Sequence, residues 1–158
     1  MRARWVLFAL IVLGGIMVVV CNLAYPLARE RETKERLARD ALALLMPEIR
    51  QNEAIVANMQ ELATRNEIPS GTLDVAAWQT ISSGGLLSGL KPEEATKLLK
   101  VYTLIFQVNA VNARLIESTI GVASALGNAA QTRGFFMTQL QARLSALRQA
   151  FSEIDTKS

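Results

Sequence analysis

Few side chains in this sequence could do catalytic chemistry. There is no histidine, the commonest general base and metal ligand at neutral pH, and the one cysteine, Cys21, lies in an apolar run. Glu93 and Glu94 are adjacent and point apart on a helix. Glu48 and Asn52 share a helix face at i, i+4, as many solvated pairs do. No glycine loop has the lysine and strand–helix context of a phosphate site. The sequence therefore predicts a non-enzymatic protein without catalytic residues, metal or cofactor.

Polar side chains also occur within predicted apolar helix faces. Asn52 falls on an apolar stripe, and Tyr102, Asn109 and Asn112 lie on another. A buried Asn52 would need hydrogen-bond partners and could fix helix register, whereas a solvated Asn at the stripe's edge is the alternative. These four residues are the candidates for binding a small molecule inside a helical bundle.

The helix predicted from Pro92 to about Ile120 is apolar on two faces. One stripe is Leu98, Tyr102, Ile105, Asn109, Asn112 and Ile116; the second is Val101, Leu104, Val108, Val111 and Leu115. A helix of this kind is central to its bundle or has an outside partner. The candidate partner or core contacts are therefore Trp78, Val101, Tyr102, Val108, Asn109, Val111 and Asn112.

An uncharged run from Trp5 to Ala28 predicts a membrane anchor. About 20 helical residues cross a hydrocarbon core of about 30 Å, and Trp5 and Tyr25 would place one aromatic ring at each interface. A lipoprotein with Cys21 at its lipobox and a cleaved signal peptide are the alternatives. Val20 before Cys21 disfavours the first, and poor small-x-small cleavage sites disfavour the second.

The basic residues near the span predict its orientation. Arg2 and Arg4 precede it, and Arg29, Arg31, Lys34, Arg36 and Arg39 follow it. Because lysine and arginine counts set topology, we expect a single-pass protein of the cell membrane with a cytoplasmic C-terminal domain.

The predicted organisation is a transmembrane anchor (1–28), a juxtamembrane amphipathic helix (29–66) and a helical domain (67–158) packing against that helix. An apolar stripe with coiled-coil spacing runs through the second segment: Ala38, Leu42, Leu45, Ile49, Asn52, Val56, Met59 and Ala63. Pro47 interrupts this helix, and we expect a kink near residues 43–47.

The sequence after residue 66 also predicts helices. After a connector at residues 67–71, Thr72 or Asp74 can cap a short helix that Gly84 and Gly85 end. Residues 121–134 are small and polar, which favours a loop or a frayed helix, and the last helix is predicted at about 135–154. No segment alternates with period two. The predicted fold is all-α, with one transmembrane helix followed by an antiparallel helical bundle.

Charge is divided unevenly along the chain. Residues 40–94 hold three basic and eight acidic groups, and residues 97–158 hold seven basic and three acidic groups. Packing of oppositely charged helices is the simplest explanation, and a basic surface facing anionic lipid is the alternative. Basic residues are sparse and not interleaved with aromatics, so we expect no nucleic-acid partner.

Several residues in the middle of the chain form a pattern. The segments are Leu73 to Trp78, Ile81 to Gly84, Leu86-Leu87, Leu90, Glu93, Tyr102, Ile105 and Asn109, after a Glu-Ile-x-x-Asn stretch at 48–52. This Trp…Ser-Gly…Tyr…Asn block resembles one in a loose group of small, uncharacterised prokaryotic single-pass membrane proteins. Gly85 and Val75 depart from that pattern. The resemblance implies an anchored helical architecture and no chemistry.

Two functions are compatible with these features. The first is a membrane-anchored helical interaction module, a subunit, scaffold or assembly factor that binds a protein partner or a second copy. The second is a small-molecule-sensing bundle that signals through its anchor or oligomeric state. In the block, we expect Trp78 to pack beside Tyr102; Trp78 as a partner hot spot is the alternative.

Overall fold

The computed structural model describes residues 2–120 and 129–155, and every regular element in those ranges is a helix. The elements are α1 (Arg2–Thr64), α2 (Ala76–Ser83), a 3₁₀ helix (Leu86–Gly89), α3 (Pro92–Ile120) and α4 (Ala129–Asp155). The prediction of an all-α fold is confirmed.

Helix α1 joins the predicted anchor and juxtamembrane helix into one element. Its 63 residues would extend about 95 Å at 1.5 Å per residue. Pro26 and Pro47 both lie inside it, and the helix neither ends nor restarts at Pro47. Pro47 and Ala43 are exposed, so water can bind the Ala43 carbonyl that loses its helical hydrogen bond.

The buried face of α1 follows the predicted stripe over most of its length. Its buried members are Ala41, Leu45, Ile49, Asn52, Val56, Met59 and Ala63. At the start of the stripe, the predicted members Ala38 and Leu42 are half-buried and pack against the core, and Ala41, which was not predicted, is fully buried beside them. The stripe packs within the chain's own core.

Helix α1 ends in a turn that reverses the chain. Asn66 has a φ of 59°, in the left-handed region that Asn tolerates, and the Glu67 N–H donates to the Leu62 carbonyl at 2.9 Å. This six-to-one hydrogen bond is the Schellman arrangement that satisfies free carbonyls at a helix end. The chain thereby leaves α1 and runs back alongside it.

The connector between α1 and α3, residues 65–91, retraces α1 in the opposite direction. Gly71 lies beside Ile55, and Asp74 hydrogen-bonds Asn52. Gly89 lies against Lys34 to Ala38, where a Cβ on Gly89 would come within 2.6 Å of the Ala38 nitrogen. Only glycine permits this close approach. The connector brings the start of α3 back to the earlier part of α1.

Helix α4 runs antiparallel to both other long helices. Gln141 donates to the Ala63 carbonyl and Arg148 to Gln60, while Lys100 pairs with Glu153 at 2.9 Å. Helices α1 and α3 therefore run in the same direction, an arrangement made possible by the returning connector. The ion pair that joins two helices among the described residues, Lys100–Glu153, lies within the basic half of the chain.

Helix α4 begins earlier than predicted. Residues 129–134, expected to be a loop or frayed, belong to it, and Gly134 is an exposed position within the helix. The expected loop at 121–128 lies outside the described residues.

Candidate functional site

The most polar part of the core is built around Glu48. Its side chain is only 7% exposed, and its two oxygens accept hydrogen bonds from the Ala77 N–H at 2.6 Å and the Tyr102 hydroxyl at 2.7 Å. A longer contact, 3.4 Å, comes from the Trp78 N–H. The carboxylate from α1 thus caps the positive end of α2, where Val75 has no side-chain oxygen to offer.

Tyr102 and Trp78 cover this carboxylate with a stacked pair of rings. Their centroids are 4.4 Å apart with an angle of 13° between planes, and Tyr102 is fully buried. Burial raises the pKa of Tyr102 far above its ordinary value of 10.0, and the hydrogen bond and charge of Glu48 raise it further. The hydroxyl therefore remains a donor to Glu48 throughout the physiological pH range.

Asn52 and Asn109 hold two consecutive residues of the connector from opposite sides. The Asn52 amide accepts from the Asp74 N–H and donates to the Asp74 carbonyl, both at 2.8 Å. The Asn109 amide makes the same two bonds with Leu73, both at 2.9 Å. A primary amide carries one acceptor and two donors, so it can pair with both the N–H and the C=O of a single residue, as a residue of a neighbouring strand would.

Asn112 makes a weaker contact to the same segment. Its amide nitrogen donates to the Gly71 carbonyl at 2.9 Å, while its buried oxygen has no hydrogen-bond partner among the described residues. We refer to Glu48, Asn52, Asn109 and Asn112 with the connector residues they bind as the connector clamp. It joins α1 and α3 through the chain between them.

The sequence-predicted contact residues all lie near this centre. Tyr102, Val101 and Val108 are fully buried, Asn112 is 1% exposed, Trp78 and Val111 are 9% exposed, and Asn109 is half-buried. In the described chain they make intramolecular contacts. The four polar residues considered for a small molecule, Asn52, Tyr102, Asn109 and Asn112, bind the chain's own backbone and Glu48 instead.

Glu48 is the important residue that sequence reasoning did not identify. Its spacing from Asn52 was visible, but an i, i+4 pair of this kind is common on solvated faces. The useful signal is its position directly before Ile49 on the apolar stripe, which places it at the edge of the buried face.

A surface groove lies outside the clamp, where α1 approaches the start of α3 and the end of α4. It has a volume of about 450 Å³, and its lining includes Met46, Arg50, Glu94, Lys97 and Ile154. Its acidic and basic groups are mixed, so it has no single charge preference. Among the residues described, no group of histidine, cysteine, aspartate and glutamate side chains could hold a metal ion.

The N-terminal part of α1 has a different surface. Tyr25 is 71% exposed, whereas the side chain of Trp5, its predicted counterpart at the other interface, lies outside the description. Within the part of the chain that was described, no helix is long and apolar enough to cross a membrane, so the predicted anchor at 1–28 is not supported there.

Comparison with known proteins gives no family for this chain. No protein-family model matches it, and neither a curated protein nor a solved structure is similar to it. The resemblance to small single-pass membrane proteins therefore stays a prediction made from the residues quoted above. What the chain does has to be inferred from its own side chains and their surroundings.

Proposed function

We propose that this chain is a membrane-anchored helical interaction module, without enzymatic activity. The observation that supports this function is the apolar surface of α1 before the bundle. Eight large apolar or aromatic side chains there are exposed by half or more: Leu13, Ile16, Met17, Val18, Val19, Val20, Tyr25 and Leu27. Consecutive positions from Met17 to Val20 point in all directions around a helix, so no single groove could cover them.

A helix that is apolar all round is stable when a bilayer or a protein surrounds it. The proposed anchor spans residues 5–28, and the side chains of its first part, up to residue 12, lie outside the description. The run contains no Lys, Arg, Asp or Glu, whereas the following residues 29–40 contain nine such groups. This abrupt change is typical of the boundary between hydrocarbon and headgroups.

The proposed topology is a single pass through the cell membrane with residues 29–158 in the cytoplasm. It rests on the excess of arginine and lysine after the span. Because α1 continues from the proposed anchor into the bundle as one helix, the bundle would be held at a fixed distance from the membrane. Such an arrangement suits a subunit or scaffold that presents a surface to a partner.

Membrane extraction of the full chain tests the anchor. Alkaline carbonate should leave the wild-type chain in the membrane fraction and release a Val18→Arg/Val19→Arg variant. Each arginine at a helix centre costs about 2.5–3.5 kcal/mol of insertion free energy. Val18→Ala/Val19→Ala is the matched control and should stay in the membrane. Release of the wild-type chain by carbonate would contradict the anchor.

Reporter fusions at the C-terminus test the topology separately. A fluorescent protein that folds in the cytoplasm should be bright, and alkaline phosphatase at the same site should be inactive. The opposite pair of results would place the bundle on the other side of the membrane.

A further inference from the structure

Four apolar side chains line the surface groove between α1, the start of α3 and the end of α4, which we call the bundle groove. Leu42 and Met46 lie one turn apart on α1, Leu98 comes from α3, and Ile154 comes from α4. Leu98 is buried, and the other three are half-buried and pack against the core. The groove therefore offers apolar surface on which an apolar group of a small ligand can be shielded from water.

Charged groups of both signs line the same groove. Glu94 and Lys97 of α3 are half-buried, and Arg50 of α1 is exposed. Among the described residues none of these three forms an ion pair, although Glu94 and Lys97 are neighbours at i, i+3 on one helix. Charged groups that lose part of their water ordinarily gain an opposite charge in exchange. Lys91 and Glu93 also line the groove, but both are exposed, so solvent screens their charges.

The two half-buried charges are positioned by the chain and keep most of their hydrogen-bonding capacity. Lys97 Nζ donates to the Glu153 carbonyl at 2.6 Å, which leaves two of its three donors for another group. One carboxylate oxygen of Glu94 accepts from the Lys91 N–H at 3.4 Å, a long contact, and the other oxygen has no partner among the described residues. The bundle groove thus presents a negative acceptor and a positive donor beside an apolar lining.

We propose that the bundle groove binds a free α-amino acid with a large apolar side chain. The ammonium group of the ligand binds Glu94, and its carboxylate binds Lys97. The apolar side chain lies against Met46 and Ile154. Arg50 reaches the carboxylate from α1, because its planar guanidinium can donate two parallel hydrogen bonds to a carboxylate.

Ligands with one kind of charge fit this groove less well. A fatty acid would pair with Lys97 but would bring a second negative charge beside Glu94, and an amine would do the reverse. An amino acid provides a partner for both groups. The groove volume of about 450 Å³ is in the lower part of the range of about 300–1,000 Å³ that small-molecule sites occupy. That size suits a single small molecule rather than a segment of another protein.

This site goes beyond the proposed interaction module and does not depend on its anchor. All of its residues lie in the bundle, after the apolar run of α1. Because the ligand contacts α1, α3 and α4 together, its binding should stabilise the folded bundle.

Isothermal titration calorimetry of the full chain in a non-ionic detergent tests the site with L-leucine and two analogues. Isopentylamine has the same apolar group and ammonium but lacks the carboxylate, and 4-methylpentanoate lacks the ammonium. L-leucine should bind saturably, and each analogue should bind about tenfold more weakly or worse, because one charge-assisted contact is lost. Absence of saturable binding of L-leucine, L-methionine and L-phenylalanine would contradict the proposal. So would an analogue that binds as tightly as L-leucine.

Substitutions in the groove test whether these residues bind the ligand. Lys97→Gln and Glu94→Gln should each weaken L-leucine binding about tenfold or more. Lys97→Gln should bind isopentylamine as the wild type does, since the amine has no carboxylate for Lys97. Arg114→Gln and Glu117→Gln, at exposed positions near the other end of α3, are the matched controls and should bind L-leucine normally.

Circular dichroism of each variant separates a lost contact from a lost fold. If Lys97→Gln loses helical content, Arg50→Gln at an exposed position replaces it and should also weaken L-leucine binding. Unchanged L-leucine binding in folded Glu94→Gln and Lys97→Gln variants would show that the amino acid binds elsewhere and would overturn the proposal.

Discussion

Two halves of one helix meet very different surroundings. Between Leu13 and Leu27, α1 exposes apolar side chains all round, whereas between Ala41 and Ala63 it buries one face and exposes the others. The exposed half has no polar side chain with a structural task. The buried half includes Glu48 and Asn52, which bind the connector. Overall hydrophobicity is therefore a poor guide to burial within this chain; the arrangement of polar residues is the better one.

The largest effect should come from removing the carboxylate in the buried half. Glu48→Ala removes the acceptor of the Ala77 N–H in the first turn of α2, where Asp74 accepts only from the Ala76 N–H, and leaves the Tyr102 hydroxyl buried without its acceptor. Hydrogen bonds to charged groups contribute about 1.5–3 kcal/mol each, so we expect unfolding to become easier by about 3 kcal/mol or more. Chemical denaturation of the full chain in mild detergent, followed by circular dichroism, measures this.

The exposed Glu53 provides the control for this measurement. Glu53→Ala, five residues further along the same helix, should change the unfolding free energy by less than about 0.5 kcal/mol. Equal effects at the two positions would mean that Glu48 makes no special contribution to the bundle.

A somewhat smaller effect is expected where the two halves of α1 meet. An alanine at Gly89 would place its Cβ 2.7 Å from the Lys34 carbonyl oxygen and 2.6 Å from the Ala38 nitrogen, both backbone atoms. Overpacking of this kind costs about 1–3 kcal/mol, so Gly89→Ala should lower the midpoint of denaturation.

Gly134→Ala is the matched control for that substitution. Nothing lies within 4 Å of a Cβ at Gly134, and the residue is inside α4. Alanine is favoured over glycine in a helix by about 1 kcal/mol, so this variant should be stabilised. Destabilisation of both variants would contradict the close approach at Gly89.

Alkaline pH should reduce the contribution that Tyr102, in the core against the buried half, makes to the unfolding free energy. The pKa of Tyr102 is raised in the folded chain, so its contribution to stability is complete below the ordinary value of 10.0 and is lost as the pH rises above it. The stability difference between wild type and Tyr102→Phe should shrink by about 1.4 kcal/mol per pH unit above that value. Denaturation at pH values from about 8 to 11 measures it, and a constant difference would exclude the buried donor.

The smallest effect is expected in the exposed half. Val18→Ser removes apolar surface from the N-terminal part of α1 but touches no residue of the bundle, so the unfolding free energy of the bundle should change by less than about 0.5 kcal/mol. A loss similar to that of Glu48→Ala would mean that this half packs against the bundle.

Local patterns in the sequence were sufficient to predict most of the helices. The bounds of α3 were predicted at Pro92 and Ile120, because proline suits a first turn and the apolar periodicity continues to that point. The early start of α4 was missed, since Gly134 is a poor helix former whose cost is overcome by the packing of the rest of the helix.

The connector clamp was beyond sequence reasoning for a physical reason. Asn52 lies 22 residues from Asp74 and Asn109 lies 36 residues from Leu73, and no local rule relates residues so far apart. The amide side chains were recognised as unusual on apolar stripes, but their partner is an extended segment without a pattern of its own. Glu48 was missed because two of its partners, Ala77 and Trp78, are bound through their backbone, and the third, the Tyr102 hydroxyl, lies 54 residues away in the sequence.

The clamp also has a consequence for the order in which the chain is made. Every residue of it, from Glu48 to Asn112, is synthesised before α4. A nascent chain that has emerged to the end of α3 can therefore already fold the connector between α1 and α3. Helix α4 then packs onto α1 and α3, which can fold together before α4 has been synthesised.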